Sequence, residues 1–414
     1  MFDFMDMEYT EPVAAAGPNE PYIPEASECL RCGLCVSSCP TFRLFRIDEE
    51  TPRRRLRSIS KILLEKLPIS AAERRHLDNC LQCRACETVC PGRMAYGQLF
   101  DQAQAQLKAA PDWLAKLAFR LVENRRWRVR LMPWLAVYLK SGLQKPLRRS
   151  GLLKKLRLAD AEALLAKPAL QALASRYPAR AATRGRVALF TGCIAEHFDR
   201  DTLLAAIKLL NATGYEVLIP RQQSCCGAIH QHNGQSAASF IDTNIRVFNS
   251  LDVEAVLHTA TACGAMLSAY QSGDGEATER FRQRLVDIND FLLKRWPDDL
   301  QLLPCSLKVA VHEPCSQRNV LKNQQAVYAL LQKIPDLSIA ELADNQTCCG
   351  AGGSYMLTHP DIAGQLLALK QQTISASSAD LVVSSNFACA VYLNAHGSKL
   401  EHPLRLLARQ LPAA

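Results

Sequence analysis

The sequence predicts a protein of α plus α/β class: a helical N-terminal domain, a basic helical connector and two tandem α/β modules. Three observations predict it. Two runs of the form C-x2-C-x2-C-x3-C-P lie within the first 91 residues. The second half carries one cysteine pattern twice, at matched intervals. Between them lies a stretch of strong positive charge. A chain of 414 residues has room for this many units.

Composition narrows the class. A chain with 48% apolar and 21% charged residues is too apolar for disorder. Seventeen cysteines are too sparse, and odd in number, for a disulfide scaffold. The longest apolar stretch, near 131–139, falls far short of the ~20 residues that a membrane span needs. The acidic start, MFDFMDMEYTEP, has no basic segment followed by an apolar one. No secretory signal is therefore expected, and the expected compartment is the cytoplasm, where thiols stay reduced and can bind metal.

After an acidic tail (1–20), residues 21–105 form the first domain. It holds Cys29, Cys32, Cys35 and Cys39, followed by Pro40, and then Cys80, Cys83, Cys86 and Cys90, followed by Pro91. Three thiolates at two-residue gaps curl around one face of an iron–sulfur cube, and the fourth cysteine of each run ligates the other cluster. One 4Fe–4S cluster would then take Cys29, Cys32, Cys35 and Cys90, and the second Cys80, Cys83, Cys86 and Cys39. Zinc favours separated C-x2-C pairs with tetrahedral closure, which these runs fit poorly. The segment between the runs, TPRRRLRSISKILLEKL, has apolar residues at Leu56, Ile59, Ile62, Leu63 and Leu67, a helical period. Thr51 is its expected N-cap, with Pro52 in the first turn. A second helix is expected over 71–77. The domain is therefore a mainly helical dicluster ferredoxin type.

Residues 106–183 form the connector. From Lys116 to Arg157 there are 13 Lys or Arg and one acid, Glu123. Trp113, Trp127, Trp134 and Tyr138 lie in or beside this stretch, and Pro133 and Pro146 are expected to break it into segments. Cations mixed with aromatic residues suit a helix lying on anionic lipid. They also suit a docking face for an acidic partner, or a plain connector. Nothing else in the sequence favours nucleic acid.

Residues 184–300 and 301–414 are the repeated modules. In the first, Cys193 is followed 32 residues on by Cys225-Cys226-Gly227, and Cys263 comes 37 after Cys226. In the second, Cys315 is followed 33 residues on by Cys348-Cys349-Gly350, and Cys389 comes 40 after Cys349. Strands are expected at RVALF, YEVLIP, EAVLHT, KVAVH and DLVVSS. Helices are expected over 203–210, 237–249, 326–334 and 361–374. This alternation implies βαβ units and a parallel sheet in each module. The cysteines fall after strands or in loops, and ligands gather at the carboxyl ends of such strands. Adjacent residues on a strand face opposite sides, so a tandem Cys-Cys is hard to read as core packing. Cys193, Cys225, Cys226 and Cys263 are one candidate metal site; Cys315, Cys348, Cys349 and Cys389 are a second. Gly227 and Gly350 permit the sharp turn that presents the paired thiols. Cys305 lies outside the repeat. His197, His230, His232 and His312 lie near these cysteines; each could serve as a ligand or proton donor, and a satisfied loop histidine is the expected case.

The motifs CLRCGLCVSSCPTF, TPRRRL, CLQCRACETVCP, TGC, SCCGAIHQHNG, TACGAM, CCGAGGSYMLTHPDIA and NFACAVYL together resemble the glycolate oxidase iron–sulfur subunit family, over nearly the whole chain. The wider superfamily includes subunits of anaerobic glycerol-3-phosphate dehydrogenase, lactate-utilisation proteins and heterodisulfide reductases. EHPLRLLARQL at 401–411 suits the glycerol-3-phosphate branch equally. The resemblance implies a dicluster ferredoxin followed by two CCG modules, each able to hold a further iron–sulfur cluster. In the superfamily the full module ends in C-x-x-C. Here Met266 and Tyr392 stand at that last position, which argues against a disulfide-reducing noncubane cluster.

The implied activity is electron transfer for oxidation of a 2-hydroxy acid, most readily glycolate to glyoxylate. That oxidation releases two electrons, and a flavin normally passes them singly to iron–sulfur clusters. The chain has no G-x-G-x-x-G fingerprint, since GAGG at 350–353 lacks the spacing, and no C-x-x-C-H haem motif. The flavin is therefore expected on FAD-containing partner subunits, with a membrane acceptor such as quinone.

Overall fold

The protein is described here by a computed structural model, over residues 32–107, 113–156, 158–179 and 183–412. Cys29 and the acidic tail lie outside these residues. The chain is mixed, with a helical first domain, a helical connector and two mainly parallel sheets.

In the first domain, Thr51 caps the helix Pro52–Ser60 by accepting from the Arg54 N–H, with Pro52 at the first turn. A single π turn, Lys61–Glu65, extends it and ends at Lys66 in the left-handed region. Leu67 falls beyond that stop and is exposed, so it does not join the apolar stripe. Ser70 and Glu73 form a reciprocal capping box on Ala71–Asp78. Leu56, Ile59, Ile62 and Leu77 pack with Met94, Tyr96, Leu99 and Phe100 from around the helix Tyr96–Leu107.

The connector forms the helices Trp113–Glu123, Arg125–Lys140, Gln144–Arg149, Leu152–Lys155 and Ala159–Ala163. The proline breaks expected from the sequence do not occur where expected. Pro133 lies inside the helix Arg125–Lys140. It is on an exposed side, where the carbonyl it leaves unpaired is open to water. Pro146 sits near the start of its helix, where a missing N–H costs nothing. The break comes at Gly142, whose φ is +73°. No helix among the described residues is long and apolar enough to cross a membrane.

The strands are β1 (Arg176–Tyr177), β2 (Gly185–Phe190), β3 (Tyr215–Leu218), β4 (Ala255–His258), β5 (Leu285–Asp287), β6 (Lys308–His312), β7 (Ser338–Glu341), β8 (Leu381–Ser384) and β9 (Leu400–Glu401). The first sheet has the order β1-β3-β2-β4-β5, and the second β7-β6-β8-β9. All pairings are parallel except β1 with β3. Without β1, the two sheets share one strand order, so the sequence duplication is a duplication of topology. The central strands β2, β4, β6 and β8 are buried apolar runs and were legible as strands. The edge strands β1, β5, β7 and β9 are short and only partly buried, and carry no such run.

The modules share a core. Val187 and Leu189 of β2, Leu203, Leu209 and Leu210 of Arg200–Ala212, Val309 and Val311 of β6, and Leu404 and Leu407 of Pro403–Arg409 are all buried in one cluster. At the far face they join through Thr261 Oγ1 and Ser316 Oγ, 2.8 Å apart, and through the Ala262 N–H donating to Asn386 Oδ1 at 3.2 Å.

Candidate metal centres

The last cysteine of the first run meets the first three of the second run in space. Cys39, Cys80, Cys83 and Cys86 line one cavity, with Thr41, Arg55 and Tyr96. Helix packing explains this. The helix Cys35–Ser38 rests on Ala85–Thr88 and on Pro52–Ser60, so the end of the first run faces the second. The sulfurs have hydrogen-bond donors around them. The Gln82 N–H donates to Cys80 Sγ at 3.4 Å, Tyr96 OH to Cys80 Sγ at 3.7 Å and Arg55 Nη1 to Cys39 Sγ at 3.5 Å. Burial pushes the Cys80, Cys83 and Cys86 thiols up from their ordinary value. Holding them as thiolates in that setting calls for positive charge, which a metal group and Arg55 supply.

Arg55 was missed by motif reading, although it lies in TPRRRL. It is 2% exposed. Its Nε donates to the His76 carbonyl at 2.6 Å, its Nη2 donates to Thr41 Oγ1 at 2.9 Å, and it pairs with the equally buried Glu50. Burial alone would lower the Arg55 pKa, but the Cys80 and Cys39 sulfurs, Tyr96 and Glu50 raise it, so the cation persists. Glu50 is satisfied further by His76 Nδ1 and Asn79 Nδ2, each at 2.7 Å.

Of the other set, Cys32 is exposed, and Cys35 and Cys90 are half-buried. The packing of Cys35–Ser38 on Ala85–Thr88 brings Cys35 to the helix that leads into Cys90.

In each module the four cysteines converge as an unbroken chain of thiol contacts. Cys193 meets Cys225, Cys225 meets Cys226, and Cys226 meets Cys263. Likewise Cys315 meets Cys348, Cys348 meets Cys349, and Cys349 Sγ lies 3.0 Å from Cys389 Sγ. Gly227 and Gly350 carry φ of +89° and +87° after the paired cysteines. A Cβ at Gly350 would lie 2.5 Å from the Ala363 carbonyl oxygen, so glycine is required there. The N–H groups of Gly227 and Gly350 donate to Cys225 Sγ and Cys348 Sγ at 3.4 Å. Cys263 and Cys389 follow strands as expected: they sit in the first turns of Thr261–Ser268 and Phe387–Ala395, directly after β4 and β8.

The two sites differ in their surroundings. The first is joined by the connector: Val122 is buried in one apolar cluster with Cys193, Cys225 and Cys226, and the buried Arg128 lies near Cys193. Arg125 pairs with Glu196, and His230 Nε2 lies 2.9 Å from Glu123, so the connector is tied to this module. The second site opens on a cavity of about 810 Å³ that Cys80 and Cys83 also border. Cys83 and Cys348 lie close enough to raise the cost of charging Cys83. Lys370, 0% exposed, donates from Nζ to the Asp344 carbonyl at 3.0 Å and faces Cys348 and Cys349. Cys348 is held well below the ordinary thiol value by hydrogen bonds from Cys315 and Cys349, with help from the Gly350 N–H and Lys370. Neither Lys370 nor Arg128 carries a sequence signal beyond being a cation among apolar neighbours.

Contacts lock the first domain against the second module. Asn319 Nδ2 donates to the Cys83 carbonyl at 2.8 Å, Tyr355 OH to the Asn79 carbonyl at 2.9 Å, and Arg43 Nη2 pairs with Asp344 at 2.9 Å. Three of the flagged histidines are engaged elsewhere: His197 with the Ala169 carbonyl, His230 with Glu123 and His232 with Asp101. His312 is satisfied too, with Nδ1 2.9 Å from Ser384 Oγ. It ends β6 and lies with Cys349 and Cys389 in one buried group. Burial lowers its pKa to about 3, so the ring is neutral. Met266 and Tyr392 are both buried, Tyr392 packing edge-on to His396.

Residues 25–94 match the 4Fe-4S dicluster domain family, and residues 187–268 and 309–394 match the cysteine-rich CCG domain family. Residues 110–165 match the linker region of the glycolate oxidase iron-sulfur subunit. The probable glycolate oxidase iron-sulfur subunit of Bacillus subtilis (strain 168) is 31% identical over 392 residues, 89% of this chain and 88% of that one. The glycolate oxidase iron-sulfur subunit of Escherichia coli (strain K12) is 28% identical over 405 residues, 92% and 93% of the two chains. Lactate utilization protein A of Shouchella clausii (strain KSM-K16) is 26% identical over 227 residues, 52% of this chain and 91% of that one. With thiol sites at the carboxyl ends of duplicated sheets, and similarity that spans all its parts, this chain belongs to the glycolate oxidase iron–sulfur subunit family.

Proposed function

We propose that this chain is the electron-carrying subunit of a flavin-dependent 2-hydroxy-acid dehydrogenase, with glycolate as substrate, and that it links an FAD-containing partner to a membrane acceptor such as quinone. The observation that carries this reading is the sequence of thiol sites through the molecule. Cys39, Cys80, Cys83 and Cys86 line one cavity, and Cys80 and Cys83 share a second one with Cys315, Cys348, Cys349 and Cys389.

The donor sets fit iron–sulfur groups. All are thiols, arranged in fours, with N–H and O–H donors aimed at sulfur and a buried cation nearby. Cys29, Cys32, Cys35 and Cys90 would hold one 4Fe–4S cluster and Cys39, Cys80, Cys83 and Cys86 the other. The four cysteines of each CCG module would hold a further group. When bound, such groups accept and release single electrons. The residues of this chain hold them in register and screen them from water. Arg55 and Lys370 stabilise the negative charge that thiolate ligation brings. Oxidation of the hydroxy acid itself falls to the flavin of the partner. The names of the Bacillus and Escherichia relatives support glycolate; the Shouchella relative makes lactate the next substrate to test.

The test uses the chain purified without oxygen together with its flavoprotein partners. Glycolate should bleach the iron–sulfur absorbance within turnover. Bleaching by lactate or glycerol-3-phosphate alone would move the substrate assignment, and bleaching by none would refute the relay.

The connector supports contact with an anionic membrane surface. In Arg125–Lys140, the residues Arg128, Met132 and Ala136 are buried. The opposite side presents Trp127, Leu131, Trp134 and Val137, with Trp134 72% exposed, and Arg126 and Arg130 flank it. Trp113 and Leu117 of the preceding helix are exposed too. Aromatic residues with flanking cations suit the headgroup layer, each cation adding roughly 1 kcal/mol near anionic lipid. The protein should sediment with phosphatidylglycerol vesicles at low salt, and Trp127→Ser with Trp134→Ser should release it. Equal binding by that double variant, or none by the native complex, would assign this face to another partner.

A further inference from the structure

We propose that His312 is a nitrogen ligand of the iron–sulfur group held by Cys315, Cys348, Cys349 and Cys389, so that the second module binds its metal with thiolate and imidazole donors together. This rests on the reading of that module as a metal site.

The geometry points to it in two ways. A ring nitrogen of His312 and the sulfurs of Cys349 and Cys389 all lie within 4.8 Å of one another, and all three residues are buried. His312 Nδ1 lies 2.9 Å from Ser384 Oγ, across the β6–β8 pairing. That bond fixes the ring and leaves Nε2 as the donor atom, the arrangement by which a neighbour orients a ligating histidine.

The repeat provides an internal comparison. His312 stands three residues before Cys315 and ends β6; Phe190 stands three residues before Cys193 and ends β2. The first module therefore presents an apolar ring where the second presents imidazole. The cysteines of the first site share an apolar cluster with Val122, Phe190 and Phe240, whereas the second site opens on the cavity shared with Cys80 and Cys83. An imidazole carries no charge where a thiolate carries one, and histidine for cysteine raises the potential of an iron–sulfur group. The second module would then hold electrons more tightly than an all-cysteine site.

The experiment uses the full chain in its complex, purified without oxygen and labelled with 15N-histidine. Pulsed paramagnetic resonance reads nitrogen coupling, and iron per chain is measured alongside. Nitrogen coupling should be present in the native protein and lost in His312→Phe, which copies the first module. His312→Cys keeps a ligand there; it should retain the iron, lose the nitrogen coupling and shift the midpoint potential downward. If Cys349→Ser loses iron but both His312 variants keep the native coupling and potential, the histidine ligand is wrong and the metal site stands. If Cys349→Ser keeps all its iron, the metal reading of the module fails and the proposal falls with it.

Discussion

Cys83→Ser is expected to stop electron delivery to the acceptor while substrate still reduces the partner's flavin. Cys83 borders both the cavity it shares with Cys39, Cys80 and Cys86 and the larger one shared with the second module. Its loss removes a donor from the first site at the point nearest the second. Iron should fall by about four atoms per chain, the content of one cube. Acceptor reduction should fall by more than the roughly 10–100-fold that loss of a group supporting a metal ligand costs. Stopped-flow absorbance separates the two events, because flavin bleaching and acceptor reduction have different spectra. Cys305→Ser is the control, since Cys305 packs beside the shared module core away from every thiol site. Unchanged acceptor reduction in Cys83→Ser, or flavin that substrate no longer reduces, would break this division of labour.

The second large effect is on stability. Arg55→Met should destabilise the first domain by about 3–5 kcal/mol, the cost of leaving one partner of a buried ion pair uncompensated. The guanidinium holds Glu50, Thr41, the His76 carbonyl and Cys39 Sγ together, so the variant takes the guanidinium from a carboxylate that is 1% exposed and leaves it only His76 and Asn79. Iron retention should drop as well, because the same cation lies against two sulfurs of one site. Replacing Arg55 by Met and Glu50 by Leu together should cost less than Arg55→Met alone, since no buried charge is left unpaired. Urea unfolding of the three proteins decides it. An Arg55→Met midpoint equal to that of the native protein would show that the pair contributes nothing.

Much of the architecture was legible because it rests on local rules. The two C-x2-C-x2-C-x3-C runs express how closely successive thiols must follow one another to surround one group, and that is a property of short backbone segments. Thr51 and Pro52 announced their helix because capping is settled within one turn. The strands β2, β4, β6 and β8 could be read because buried central strands must be apolar throughout. The break in the connector was misplaced for an equally local reason. Pro133 costs a helix little when the carbonyl it frees faces water, whereas Gly142 adopts a backbone that ends a helix outright.

What the cysteine spacing and the repeat determined was the plan: two cysteine-rich runs at the start, and a second half that is one unit used twice. The tertiary structure alone decided how those sets differ. Cys349 and Cys389 come within 3.0 Å only because β7 and β8 flank the same central strand. The connector shares an apolar cluster with the first module's thiols, while the second module's open toward Cys83. Arg55, Lys370 and His312 look like ordinary polar residues in the sequence. They gain their roles from burial beside sulfur, and burial depends on contacts between segments far apart in the chain. Spacing along a chain sets which atoms can reach one centre, but the charge and solvent around that centre come from whatever the fold packs against it.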